Sequence, residues 1–103
     1  MTAHGDYTSL AHHQTMTGRH VVDKHLRQFI AVATHKNVSL AARQMGLSQP
    51  TLTHNMKKLE ESLGTTLLVR HASGVTLTAA GELLLEQASV MQRIYDDTLR
   101  QLA

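Results

Sequence analysis

The chain holds a single proline, and its position constrains the fold more than any other feature: Pro50 stands four residues after Gly46 and two after Ser48, in Gly46-Leu47-Ser48-Gln49-Pro50. Glycine is favoured just past a helix C-terminus because it adopts the left-handed backbone there at little cost. Serine is a preferred N-cap, and proline is tolerated in a first turn, where the amides have no intrahelical acceptor. One helix must therefore stop and another begin within about three residues. Neither a continuous helix nor a strand can cross this segment.

The flanking residues carry a helical period. A first helix is expected to start near Val22 or Asp23, with Leu26, Phe29, Ile30 and Ala33 on one buried face, and to break at Asn37 and Val38. Ser39 is a candidate N-cap for a short second helix over 40–45, in which Ala41 and Ala42 permit close approach of a neighbour. The third helix, over 48–63, starts at Ser48. At 100° per residue Leu52, Met56, Leu59 and Leu63 fall within about 60° of one another, while Pro50, His54, Lys57, Lys58 and Glu61 lie on the other side. Gly64 ends it.

Beyond Gly64 the period changes. Residues 65–69 and 75–77 read as two short strands joined by the polar turn Arg70-His71-Ala72-Ser73-Gly74. Thr78 then caps a helix that nothing interrupts up to residue 103, roughly 37 Å at 1.5 Å per residue. Leu84, Ala88, Met91, Tyr95, Thr98 and Leu102 follow one another at heptad-like intervals along it, widened by Leu83, Ile94 and Leu99. A domain this small cannot cover so long a seam, which predicts a homodimer through Leu84, Ala88, Met91, Tyr95, Leu99 and Leu102. The fold class is mainly α: a three-helix core with a small hairpin, followed by a long C-terminal helix. Only three aromatic residues and abundant Leu and Ala agree with that.

Charge is unevenly placed. Residues 21–77 carry seven cations against three anions, whereas 78–103 carry two against four. A basic middle before an acidic tail suggests a polyanionic partner for the middle alone. Residues 1–20 show no sustained period and read as a flexible arm; its His4, His12, His13 and His20 lack metal-ligand spacing, so neither metal nor cofactor is expected. There is no cysteine, no apolar run near the ~20 residues of a membrane span and no export signal. The chain is read as soluble and cytoplasmic. Catalysis finds no footing: Glu60 and Glu61 are adjacent on a helix and do not face one another, and no nucleophile, base and orienter group together.

A short helix, a tight turn and a second helix with outward amide, imidazole and cationic groups form a helix-turn-helix, which sets the N-terminal residues of its second helix into a DNA major groove. Gln49 and His54 suit base edges, Gln49 that of adenine, while Lys57 and Lys58 suit phosphates and Arg70 the backbone or minor groove. A helical interaction module whose last helix pairs with a partner is the rival reading.

These residues also resemble a family. From about Leu26 to its end the chain is similar to the N-terminal winged helix-turn-helix domain and linker helix of LysR-type transcriptional regulators. The resemblance rests on Ala41-Ala42-Arg43-Gln44-Met45-Gly46-Leu47-Ser48-Gln49-Pro50-Thr51-Leu52-Thr53, then Lys57-Lys58-Leu59-Glu60-Glu61, Leu63-Gly64, Leu67-Leu68-Val69-Arg70 and Leu77-Thr78-Ala79-Ala80-Gly81-Glu82. It implies a bacterial regulator that pairs through its linker helices on partially palindromic double-stranded DNA near promoters. It further implies base contacts from Gln49, Pro50, Thr53 and His54, and backbone or minor-groove contacts from Ser39, Ser48, Lys57 and Arg70. Three positions depart from the family: no second cation follows Arg70, Leu68 replaces an aromatic residue, and His54 stands where Arg is frequent. The family's effector-binding domain, two α/β lobes after the linker helix, is missing, so an effector ligand would bind outside this chain. Either an excised DNA-binding domain, which the end inside a linker-like helix favours, or a naturally truncated member is expected, divided into arm (1–20), winged domain (21–77) and linker helix (78–103).

Overall fold

The computed structural model describes residues 24–103, so the expected arm and the start of the first helix at Val22 or Asp23 lie outside the described residues. Helix α1 spans Leu26–His35 and buries Leu26, Gln28, Phe29, Val32 and Ala33. Ile30, expected in that face, is half-buried, and the fully buried Val32 takes its place. Lys36 ends the helix in the left-handed region, its N–H returning to the Val32 carbonyl at 2.8 Å.

Helix α2, Val38–Met45, begins two residues earlier than the sequence suggested. Its cap is Asn37, extended at φ −158° and ψ 117°, whose Oδ1 accepts from the Leu40 amide at 2.9 Å; Ser39 lies inside the first turn. The residue read as a helix breaker is thus a helix starter, because asparagine accepts from an orphan amide as well as serine does. Gly46 closes α2 at φ 70°, and α3, Gln49–Leu63, opens at Ser48, which accepts from the Thr51 amide at 3.2 Å. Leu52, Met56 and Leu59 of α3 are buried as expected, whereas Leu63 at the end of the stripe is exposed.

Strands β1, Leu68–His71, and β2, Gly74–Leu77, pair antiparallel, Leu68 opposite Leu77 and His71 opposite Gly74. The turn is only Ala72-Ser73, and Arg70 and His71 belong to the ladder. Residues 65–67 stay out of the sheet because their backbone is used elsewhere. The Glu60 carboxylate accepts from the Leu67 and Leu68 amides at 2.7 and 3.0 Å, and the Leu67 carbonyl accepts from the Thr78 amide at 3.0 Å. At the far end the Val75 amide donates to the Lys36 carbonyl at 3.0 Å. A Cβ on Gly74, which sits at φ 141°, would lie 2.5 Å from that same oxygen, so the hairpin meets the α1–α2 turn backbone to backbone.

Helix α4, Ala79–Leu102, is capped by Thr78, which accepts from the Gly81 amide at 3.0 Å and donates to the Thr66 carbonyl at 2.7 Å. The core is formed by Phe29 and Val32 of α1, Ala41 and Ala42 of α2, Leu52, Met56 and Leu59 of α3, with Leu67 and Val75 closing it from the hairpin side. Among the described residues no helix is long and apolar enough to cross a membrane.

Glu60 therefore ties the hairpin to α3. Replacing Glu60 by Ala leaves two part-buried amides without their charged acceptor, an expected loss of about 2 kcal/mol. Urea denaturation of the variant reads it directly, and an unchanged midpoint would show that water replaces the carboxylate.

Candidate nucleic-acid interface

The second helix of a tight helical pair presents its first two turns to solvent when its partner helices pack only on one side. Here that produces an open trough lined by Gln49, Pro50, Thr53, His54 and Lys57 of α3 and by Arg70 of β1. Five of these six residues are exposed, and Thr53 is half-buried. The positive end of the α3 dipole lies at Gln49 and Pro50, with Lys57 a further two turns along and Arg70 across the trough. No carboxylate lines it. Glu60 belongs to an adjoining cavity of about 170 Å³ shared with Val38, Met56 and Leu68, and its charge is engaged by the Leu67 and Leu68 amides. The surface is thus a concave, donor-rich channel suited to a polyanion.

Two side-chain contacts organise it. Arg70 Nη1 donates to Thr53 Oγ1 at 3.1 Å, linking the hairpin to the trough face of α3. Ser39 Oγ donates to Gln49 Oε1 at 2.8 Å, linking α2 to the first residue of α3. Ser48, expected on the backbone side of the interface, spends its hydroxyl locally: it accepts from the Thr51 amide and donates to Thr51 Oγ1 at 2.8 Å. Lys58 is exposed but lies about 100° around α3 from Lys57 and does not line the trough.

A buried amide pair supports this face from below. Asn55 Nδ2 donates to Gln28 Oε1 at 2.9 Å, and both residues are buried. The sequence carried the signal: Asn55 falls about 60° from Leu52 around α3, beside the apolar stripe, where an amide requires a partner.

The six residues expected to form a dimer seam are divided by the structure. Ala88 is fully buried within the chain, Leu84 packs on the core, and Tyr95 is half-buried beneath the Arg27 guanidinium, 5.6 Å from its ring centre. Met91, Leu99 and Leu102 are exposed. A second row is exposed as well: Leu83 and Ile94 at 60% each and Val90 between them, spaced by seven and four residues, with Met91 alongside. The face of α4 centred on Ala88 is occupied by α1, and the uncovered apolar row lies roughly 120–160° around the helix from Ala88.

Residues 24–82 match the family model described as bacterial regulatory helix-turn-helix protein, lysR family. The chain is 42% identical over 76 residues to the HTH-type transcriptional regulator BudR of Klebsiella aerogenes, a match covering 74% of this chain and 53% of BudR. It spans about half the length of that relative and about a fifth of several others. Among solved structures it is similar to a CbnR DBD–DNA complex, with a TM-score of 0.72 and 38% identity over 76% of this chain and 90% of that one. It is also similar to a complex of the BenM DBD with catB site 1 DNA, with a TM-score of 0.74 and 30% identity over 77% and 88% of the two chains.

Proposed function

Since the chain belongs to the lysR family of bacterial regulatory helix-turn-helix proteins, we propose that it is the sequence-specific DNA-binding unit of a cytoplasmic transcription regulator, not an enzyme. The trough carries this reading: Gln49, Pro50, Thr53 and His54 stand where α3 would meet base edges, and Lys57 and Arg70 flank them where phosphates would run. The likeness to the two DBD–DNA complexes supports it. In this assignment residues 21–77 read DNA and 78–103 form the linker. Ser48 acts through the cap that fixes the start of α3, and Lys58 reaches only a phosphate lateral to the trough.

The partner is double-stranded DNA with two half-sites, bound by a homodimer. The exposed row on α4 supports the second copy: Leu83, Val90, Met91 and Ile94 form an apolar strip that one chain leaves in water. Met91 stands at its edge, whereas Leu99 and Leu102, like Leu84, Ala88 and Tyr95, lie within about 40° of Ala88 on the other side of the helix, the last three packed within the fold.

Selection of bound sequences from random duplex DNA tests the reading. Enrichment of one partially palindromic site supports it, and recovery of unenriched DNA overturns it. Within that site Lys57→Ala is expected to weaken binding about three- to tenfold for every sequence and to reduce the steepness of the log K against log salt plot by about one unit. A loss confined to one base position would instead make Lys57 a base reader.

A further inference from the structure

Resting on that DNA-binding reading, we propose that Ser39 is a specificity-determining positioning residue: by holding the Gln49 amide with its oxygen against α2, it makes Gln49 a hydrogen-bond donor to DNA, so that this residue selects guanine or thymine and not adenine.

Ser39 is the second residue of α2 and Gln49 the first of α3, and the hydrogen bond between them crosses the tight turn that joins the two helices. The Ser39 hydroxyl is free for this work because Asn37 supplies the α2 cap. An unconstrained glutamine reads adenine with both ends of its amide, the oxygen accepting from N6 and the nitrogen donating to N7. That geometry needs both atoms level against one base edge. In this chain Oε1 already accepts from Ser39 at 2.8 Å, while among the described residues Nε2 has no partner. What remains for the trough is a pair of N–H donors. Guanine offers that pair two acceptors, N7 and O6, and thymine offers O4, whereas adenine accepts at N7 alone and sets its N6 donor against the second N–H.

The rest of the trough agrees in sense. Thr53 Oγ1 already accepts from Arg70, so its remaining hydrogen is available to donate, and Lys57 and Arg70 donate only. The surface is provided with donors, and Ser39 turns the one ambiguous amide to match them.

The test uses the full chain and the site obtained by selection, with each base pair varied in turn for wild type, Gln49→Ala, Ser39→Ala and Ser39→Thr. The position whose preference vanishes in Gln49→Ala is expected to carry guanine or thymine in wild type. Ser39→Ala is expected to reduce that preference over adenine about fivefold, the population gained by releasing one net hydrogen bond, and to change affinity for unrelated DNA by less than that. Ser39→Thr, which keeps the hydroxyl, is expected to restore wild-type preference. Adenine at that position in wild type, no position answering to Gln49, or an unaltered preference in Ser39→Ala each overturn the proposal. So does a uniform loss across all sequences in Ser39→Ala, which marks a phosphate contact. A chain that enriches no sequence at all overturns the DNA-binding reading beneath it.

Discussion

Gly81→Ala is expected to destabilise the domain by about 3 kcal/mol, although it replaces glycine by the best helix former inside a helix. On propensity alone the exchange gains about 1 kcal/mol. The start of α4 reverses that sign. A Cβ built on Gly81 would lie 2.2 Å from the Leu67 carbonyl oxygen, 3.1 Å from its carbon and 3.3 Å from Leu77 Cβ. Two of those three atoms are backbone. The Leu67 carbonyl also accepts from Thr78, and the Leu67 amide donates to Glu60, so the segment that would have to yield is fixed on both sides. Overpacking costs typically about 1–3 kcal/mol and more where the clash is with fixed backbone, and with the strained Thr78 cap a cost of about 4 kcal/mol leaves a net loss of about 3 kcal/mol after the propensity gain. Against a total stability of about 5–15 kcal/mol the loss is large, and a fall in Tm of roughly 10–20 °C is expected. Gly64→Ala is the control. Its site has the left-handed φ of 69° but open space around it, so only the backbone term of about 1 kcal/mol applies. Equal stability of Gly81→Ala and wild type would mean that α4 starts farther from residue 67 than the structure places it.

That close approach also marks where reading the sequence succeeds and where it stops. Elements whose boundaries depend on their own residues were legible: Ser48 with Pro50 opens α3, Gly46 and Gly64 close α2 and α3, and Thr78 opens α4. Elements whose boundaries depend on a distant partner were not. The strand beginning shifted from residue 65 to 68 because Glu60, seven and eight residues upstream, takes the Leu67 and Leu68 amides. The choice of Asn37 over Ser39 as the α2 cap was local, but two good caps stood two residues apart and only the backbone distinguishes them. For the trough, helical spacing alone gathers Gln49, Pro50, Thr53, His54 and Lys57 on one side. Arg70 joins them only through its bond to Thr53, which no periodicity encodes.

Ile94→Asp is expected to convert the chain to a monomer and to lower its affinity for a two-half-site DNA about a hundredfold or more while leaving the fold intact. The fold survives because Ile94 is 60% exposed and belongs to the uncovered row of α4, so a carboxylate there stays in water in the monomer. In the homodimer the same carboxylate would be buried against the second copy, since a two-fold interface uses the same patch of both chains and this row would lie within it. Joining two half-site contacts through one dimer raises affinity by about 10²–10⁴ over a single contact, and that factor is what dissociation removes. Leu84→Asp makes the contrast. Heptad spacing places Leu84 in the seam and Ile94 only beside it, but in the folded chain the Leu84 side chain packs on the core and Ala88, one turn on, is fully buried. A charge at Leu84 is therefore expected to lower Tm, and one at Ile94 to change the sedimenting mass at unchanged Tm. Equal effects of the two substitutions on Tm would show that α1 does not occupy one face of α4 in solution. A dimer that persists in Ile94→Asp would move the interface off the row formed by Leu83, Val90 and Ile94.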